Sequence, residues 1–89
     1  MIQKTVKIQN KLGLHARAAS SFVKIAQEFA STVTVTSSSA TANGKSIMNM
    51  MILQASHGSE ILLEVEGEDE TESIEALSNL VNQKFGEDE

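Results

Sequence analysis

Eighty-nine residues, 40% of them apolar, suffice for one modest core that buries roughly 60 to 65% of the unfolded surface, so a single domain over 1–89 is expected. The absence of cysteine removes disulfides, thiolate metal sites and thiol redox chemistry, and three Phe as the only aromatics leave no stacking platform for a nucleic acid. The net charge of −5 is uneven: residues 1–57 carry six basic side chains against Glu28 alone, whereas residues 58–89 carry eleven acids against Lys84, so the basic half is the one suited to an acidic or phosphate-bearing partner.

The N-terminal stretch "MIQKTVKIQN" alternates, with Ile2, Lys4, Val6 and Ile8 on one side, and predicts a half-buried strand over 2–8. It lacks the apolar core of a secretory signal, and no later run approaches the ~18 apolar residues of a membrane span. A cytoplasmic protein with no membrane insertion is expected. After the break at "NKLG", Leu14, Ala18, Phe22, Ile25 and Phe29 recur at helical spacing, widened by Ala19, Val23, Ala26 and Ala30. This predicts a helix of about three to four turns, with alanines allowing close approach to a sheet.

"TVTVT" (Thr32–Thr36) is strictly alternating and β-branched, the clearest strand pattern in the chain. A short strand over Ala40–Asn43 follows, and "SIMNMMIL" is apolar on all sides and predicts a short, largely buried helix with Ser46 as N-cap. "EILLEVEG" places Ile61, Leu63 and Val65 inward and Glu64 and Glu66 outward. The last helix opens at Asp69 as cap with Glu72 as its reciprocal partner, buries Ile74, Leu77, Leu80, Val81 and Phe85, has Lys84 in its last turn, and ends at Gly86. The terminal "EDE" is expected to fray. The order β-α-β-β-α-β-α predicts an α+β open-faced sandwich, with a four-stranded antiparallel sheet and three helices on one face.

The two long helices differ at their starts. The last opens with Asp69, Glu70 and Glu72, which suit the positive end of the helix dipole; the first opens with His15 and Arg17, which do not. If His15 caps the first helix, the N–H groups of Ala16, Arg17 and Ala18 point outward without a side-chain partner, and Gly13 permits close approach just before them. Free backbone donors, a dipole worth roughly 0.3 to 1 kcal/mol and a forked guanidinium together suit an anion. Histidine adds a nucleophile: its unperturbed pKa of about 6.5 leaves a neutral ring whose free nitrogen can attack a phosphoryl group. The plainer alternative for His15 is an exposed helix-end side chain. For His57, in the turn "SHGS", that plainer role is preferred, and Lys24 and Lys45 are expected as solvated charges that line a docking face. Ile47, Met50 and Met51 do not share one direction, so some apolar side chains of that helix face water and suit an adaptable contact surface.

The segment "NKLGLHARAA" resembles the active-site stretch of the HPr family, the histidine-containing phosphocarriers of the bacterial phosphotransferase system in its sugar and nitrogen branches. "GKSIMNMM" resembles that family's second signature. The resemblance implies that His15 takes a phosphoryl group on its δ nitrogen from enzyme I and passes it to a histidine of an enzyme IIA component. It implies that Arg17 assists at the phosphate, that Ser46 is a regulatory phosphorylation site for a dedicated kinase/phosphorylase linked to a transcriptional regulator, and that Ala16, Ser20, Lys24, Ile47, Met48 and Met51 dock partners. It further implies a monomer that needs neither cofactor nor metal. One departure stands at Ala18, where the family usually has proline; another is Asn49, where it often has glycine. Two other functions fit less of the pattern. A regulatory adaptor acting through phospho-Ser46 or docking alone has no use for the His15–Arg17 pair, and a generic α+β binding module leaves the inverted helix start unexplained.

Overall fold

A computed structural model describes residues 1–89 and contains β1 (Ile2–Lys7), α1 (Ala16–Ala26), β2 (Thr32–Thr36), β3 (Thr41–Asn43), α2 (Ile47–Ile52), β4 (Glu60–Glu66) and α3 (Glu70–Asn82), followed by a 3-10 turn over Lys84–Gly86. The four strands form one sheet in the order β1-β4-β2-β3, with every neighbouring pair antiparallel. The register sets Val6 opposite Ile61, Val33 opposite Val65 and Val35 opposite Leu63, so the inward residues of neighbouring strands lie side by side. β4, paired on both sides, supplies three buried side chains by its alternation, Ile61, Leu63 and Val65. This is the expected open-faced arrangement, with helices on one face and the other wet.

α1 packs Ala18, Ala19, Phe22, Val23 and Ala26 into the core, and α3 packs Ile74, Leu77 and Val81. Three alanines and one fully buried phenylalanine let α1 lie close while one large ring fills the space beneath it. α1 is shorter than its apolar stripe. Leu14 is buried just before its first turn and Phe29 half-buried after its last, while Ala30 is exposed, because the chain leaves the helix at Gln27.

Several expectations are corrected. α2 is not largely buried: Met50 is the one buried residue within it, and Ile47, Met48, Met51 and Ile52 are exposed, Met48 by 80%. A six-residue helix at the sheet margin has only one side against the core. α3 ends at Asn82, and Lys84, Phe85 and Gly86 all take left-handed backbone angles, so Phe85 reaches the core through a turn and Lys84 lies outside the helix. That turn sends the terminal residues back across the molecule. The "EDE" segment is therefore held in place: the Lys11 N–H donates to the Glu89 carbonyl, and Asn10 Nδ2 donates to Glu87 Oε1 at 2.9 Å.

Asp69 precedes α3 as expected but makes no side-chain bond to it, and Glu72 is not its reciprocal partner. Its carboxylate instead accepts from the Ala30 N–H at 2.8 Å, the Ser31 N–H at 2.9 Å and the Ser31 hydroxyl, fastening the α1–β2 connection to the start of α3. Glu70 does the reaching back, accepting from the Gly67 N–H at 3.1 Å. The Ser31 hydroxyl and the two amides hold Asp69 below its usual pKa of 3.8. A lowered carboxyl pKa contributes stability above the unfolded value and loses it as pH falls through the folded value. Asp69→Asn is expected to lower the thermal midpoint at neutral pH, with the difference from the parent shrinking below pH 3.8; thermal melts across that range check it.

Candidate functional site

Asn10 follows β1 and is fully buried. Its backbone carbonyl accepts from the Gly13 N–H at 3.2 Å, and its Nδ2 donates to the Gly13 carbonyl at 2.7 Å. That carbonyl also receives the His15 N–H at 3.0 Å, while the Leu14 N–H donates to the Ala55 carbonyl at 2.8 Å. Gly13 sits at φ +68°, and a Cβ there would lie 2.7 Å from the Ala55 oxygen and 2.9 Å from Ser56 Cα. The glycine is thus required by the α2–β4 connection pressed against it, and through that contact it aims the start of α1.

His15 is the N-cap residue of α1, in extended backbone conformation, and its carbonyl accepts the Ala19 N–H at 2.8 Å. Its ring does not cap the helix, no acidic residue lies in the first turn, and the N–H groups of Ala16, Arg17 and Ala18 have no acceptor within the chain. The ring is 28% exposed. Arg17 is exposed and makes no ion pair, so its guanidinium keeps all its donors. Ala18, by contrast, is fully buried beside it.

Two residues not anticipated complete the surroundings. Glu87 Oε2 meets His15 Nε2, and Glu87 Oε1 accepts from Asn10, which therefore bridges the loop before α1 and the returning C-terminal segment. Burial raises the Glu87 carboxyl pKa, but hydrogen bonds from Asn10 and His15 and the charges of His15 and Arg17 outweigh it, so the net displacement is downward. Glu87 is accordingly ionised at neutral pH. With Nε2 engaged, Nδ1 is the ring nitrogen without a partner. Around them Lys11, Leu12, Arg17, Phe85 and the acidic residues 87–89 line one shallow depression. No group of three or more His, Cys, Asp or Glu side chains is arranged to hold a metal ion.

The remaining sequence candidates gather elsewhere. A groove between α1 and α2 is lined by Ser20, Lys24, Ser46, Ile47 and Met48, apart from the His15 depression, with Met51 exposed on α2 and Ala16 exposed at the start of α1. Ser46 caps α2: its hydroxyl oxygen accepts the Asn49 N–H at 3.2 Å and Asn49 Nδ2 at 3.3 Å, and Asn49 Oδ1 accepts from the Asn43 N–H. Lys45 is not a free solvated charge, since Nζ donates to the Phe29 carbonyl at 2.7 Å beyond the end of α1. His57 is exposed in its turn.

Such an open-faced protein, with a histidine at the N-cap position of a helix whose first amides are free, defines a class of small α+β proteins. A family model described as the PTS HPr component phosphorylation site matches residues 2–83. The phosphocarrier protein HPr of Neisseria meningitidis is 48% identical over 89 residues, covering all of both chains, and that of Cupriavidus necator is 43% identical over the same span. A crystal structure of HPr from Thermoanaerobacter tengcongensis superposes with a TM-score of 0.94 at 45% identity and full coverage of both chains. The chain belongs to the HPr phosphocarrier family. A Bacillus subtilis protein named for catabolite repression, Crh, shares the fold at a TM-score of 0.75 and 40% identity, over 94% of this chain and 97% of its own.

Because Gly13 combines a left-handed backbone with a backbone oxygen at 2.7 Å from any added Cβ, Gly13→Ala is expected to cost about 1–3 kcal/mol of stability. Chemical denaturation measures that cost.

Proposed function

We propose that this protein relays a phosphoryl group through His15. The observation that carries the reading is the combination of an Nδ1 without a partner and three amides without acceptors at one helix start. Nδ1 attacks the phosphorus of a phosphohistidine on enzyme I, a new N–P bond forms, and the donor N–P bond breaks with its electron pair returning to the donor imidazole. Charge on the phosphoryl oxygens is met by the amides of Ala16, Arg17 and Ala18 and by the Arg17 fork, so no metal is required for it. A histidine of an enzyme IIA domain then attacks the phosphorus, its N–P bond forming as the Nδ1–P bond breaks and the electron pair returns to Nδ1.

The exposed residues Ala16, Ser20, Lys24, Ile47, Met48 and Met51 form the docking face in this reading. Unbranched methionines repack against successive partners, and Lys24 offers a charge to acidic rims. The relay operates in the cytoplasm on a monomer. Ser46 serves as a second input. Phosphate on its hydroxyl replaces a cap acceptor by a stronger one while adding about two negative charges to the groove that receives partners.

Crh gives the adaptor alternative a specific footing, since a protein named for catabolite repression has this fold. Incubation with phosphoenolpyruvate and enzyme I separates the two. The relay predicts one acid-labile, alkali-stable phosphate that disappears in His15→Ala, and a roughly 10²-fold slower transfer in Arg17→Ala; a protein that gains no phosphate is an adaptor. Ala18→Pro removes one free amide but fixes a helical φ, and is expected to leave phosphorylation within about tenfold of the parent. Initial rates with enzyme I check this, and a change from nil to normal contradicts it.

A further inference from the structure

The carboxylate of Glu87 lies on the side of the His15 ring away from Nδ1, and the proposed relay assigns it no task. Its place is built: one oxygen meets His15 Nε2, the other is held by the fully buried Asn10, and Asn10 is itself anchored to the Gly13 carbonyl that also receives the His15 N–H. The left-handed turn over Lys84–Gly86 delivers the segment to this point. We infer that Glu87 is a positioning residue for phosphoryl transfer, keeping a proton on His15 Nε2 and meeting the positive charge the ring acquires when Nδ1 is phosphorylated. The inference rests on the relay reading of His15.

The electron count shows why this matters. In the neutral ring the Nε2–H donates to Glu87, which leaves the lone pair on Nδ1. When that pair becomes the N–P bond, the donor bond breaks toward the donor nitrogen and Nε2 keeps its proton, so a ring substituted on both nitrogens bears one positive charge. A carboxylate on Nε2 is a charge-assisted acceptor for that state. In onward transfer the N–P pair returns to Nδ1 and the ring departs neutral, because Nε2 never lost its proton. Without the carboxylate, the phosphorylated ring loses that proton more easily and becomes a poorer leaving group. Of the charged groups that face the ring, Arg17 on α1 and Lys11 in the preceding loop oppose its positive charge, and Asp88 and Glu89 favour it; Glu87 is the one in contact.

The test titrates ring Nε2 by nitrogen-15 NMR in the phosphorylated parent, Glu87→Ala and Glu87→Gln, and measures kcat and KM with enzyme I. Glu87 lies outside the hydrophobic core, so both variants are expected to fold, with circular dichroism as the check. The role predicts that Nε2 of phosphohistidine 15 deprotonates about one pH unit lower in both variants, a tenfold change in the proton equilibrium, with kcat falling about tenfold and KM little changed. A titration that does not move, or a loss confined to KM, overturns the role of Glu87 and leaves the relay standing. A parent protein that gains no phosphate on His15 overturns both.

Discussion

The buried amide of Asn10 is the contact on which the His15 end of the molecule depends. One NH2 group faces two acceptors, the Gly13 carbonyl and the Glu87 carboxylate, from segments that are far apart in the chain. Through the first it fixes the turn that aims the start of α1; through the second it holds the C-terminal segment against His15. Both hydrogens of the buried NH2 group are used while Asn10 Oδ1 has no partner, and those two bonds tie the loop before α1 to the returning C-terminal segment. Loss of that amide would free the entry to α1 and the carboxylate together.

The uneven charge along the sequence acquires a different meaning in three dimensions. The acidic second half keeps most of its carboxylates on solvent-facing positions, yet Asp69 and Glu87 turn inward to the first half: one ties the end of α1 to the start of α3, the other meets the ring at the opposite end of α1. Neither blocks the first amides of α1. Anionic side chains are thus used at both ends of the same helix while its positive end stays open to an external anion.

Four of the six exposed large apolar side chains lie on α2, the other two being Met1 and Leu12. Ile47, Met48, Met51 and Ile52 project from a helix of six residues that is fixed by Met50 and by the Ser46 cap. An element so short has little stability of its own and depends on those anchors, which explains why Ser46 and Asn49 are bonded to each other and Asn49 to Asn43. The same anchors leave the exposed methionines free to adapt.

Periodicity and helix-start chemistry determined much of this in advance. The period-two pattern of "TVTVT" and "EILLEVE", the 3.6 spacing from Ala18 to Ala26, the Ser46 cap and the unusual His15–Arg17 opening are local properties of the chain, and each appears where its pattern places it. Only the tertiary structure decided which groups the Asp69 carboxylate binds, where the acidic terminus goes and which ring nitrogen of His15 is engaged. His15 and Glu87 are 72 residues apart, and Asn10 and Glu87 are 77 apart. A carboxylate near the end of a chain has no periodicity to mark it, and its partner is set by three successive left-handed residues whose path depends on how Phe85 fits the core. Local patterns report the conformation of neighbours along the chain, whereas the partner of a polar side chain is fixed by the packing that brings distant segments together.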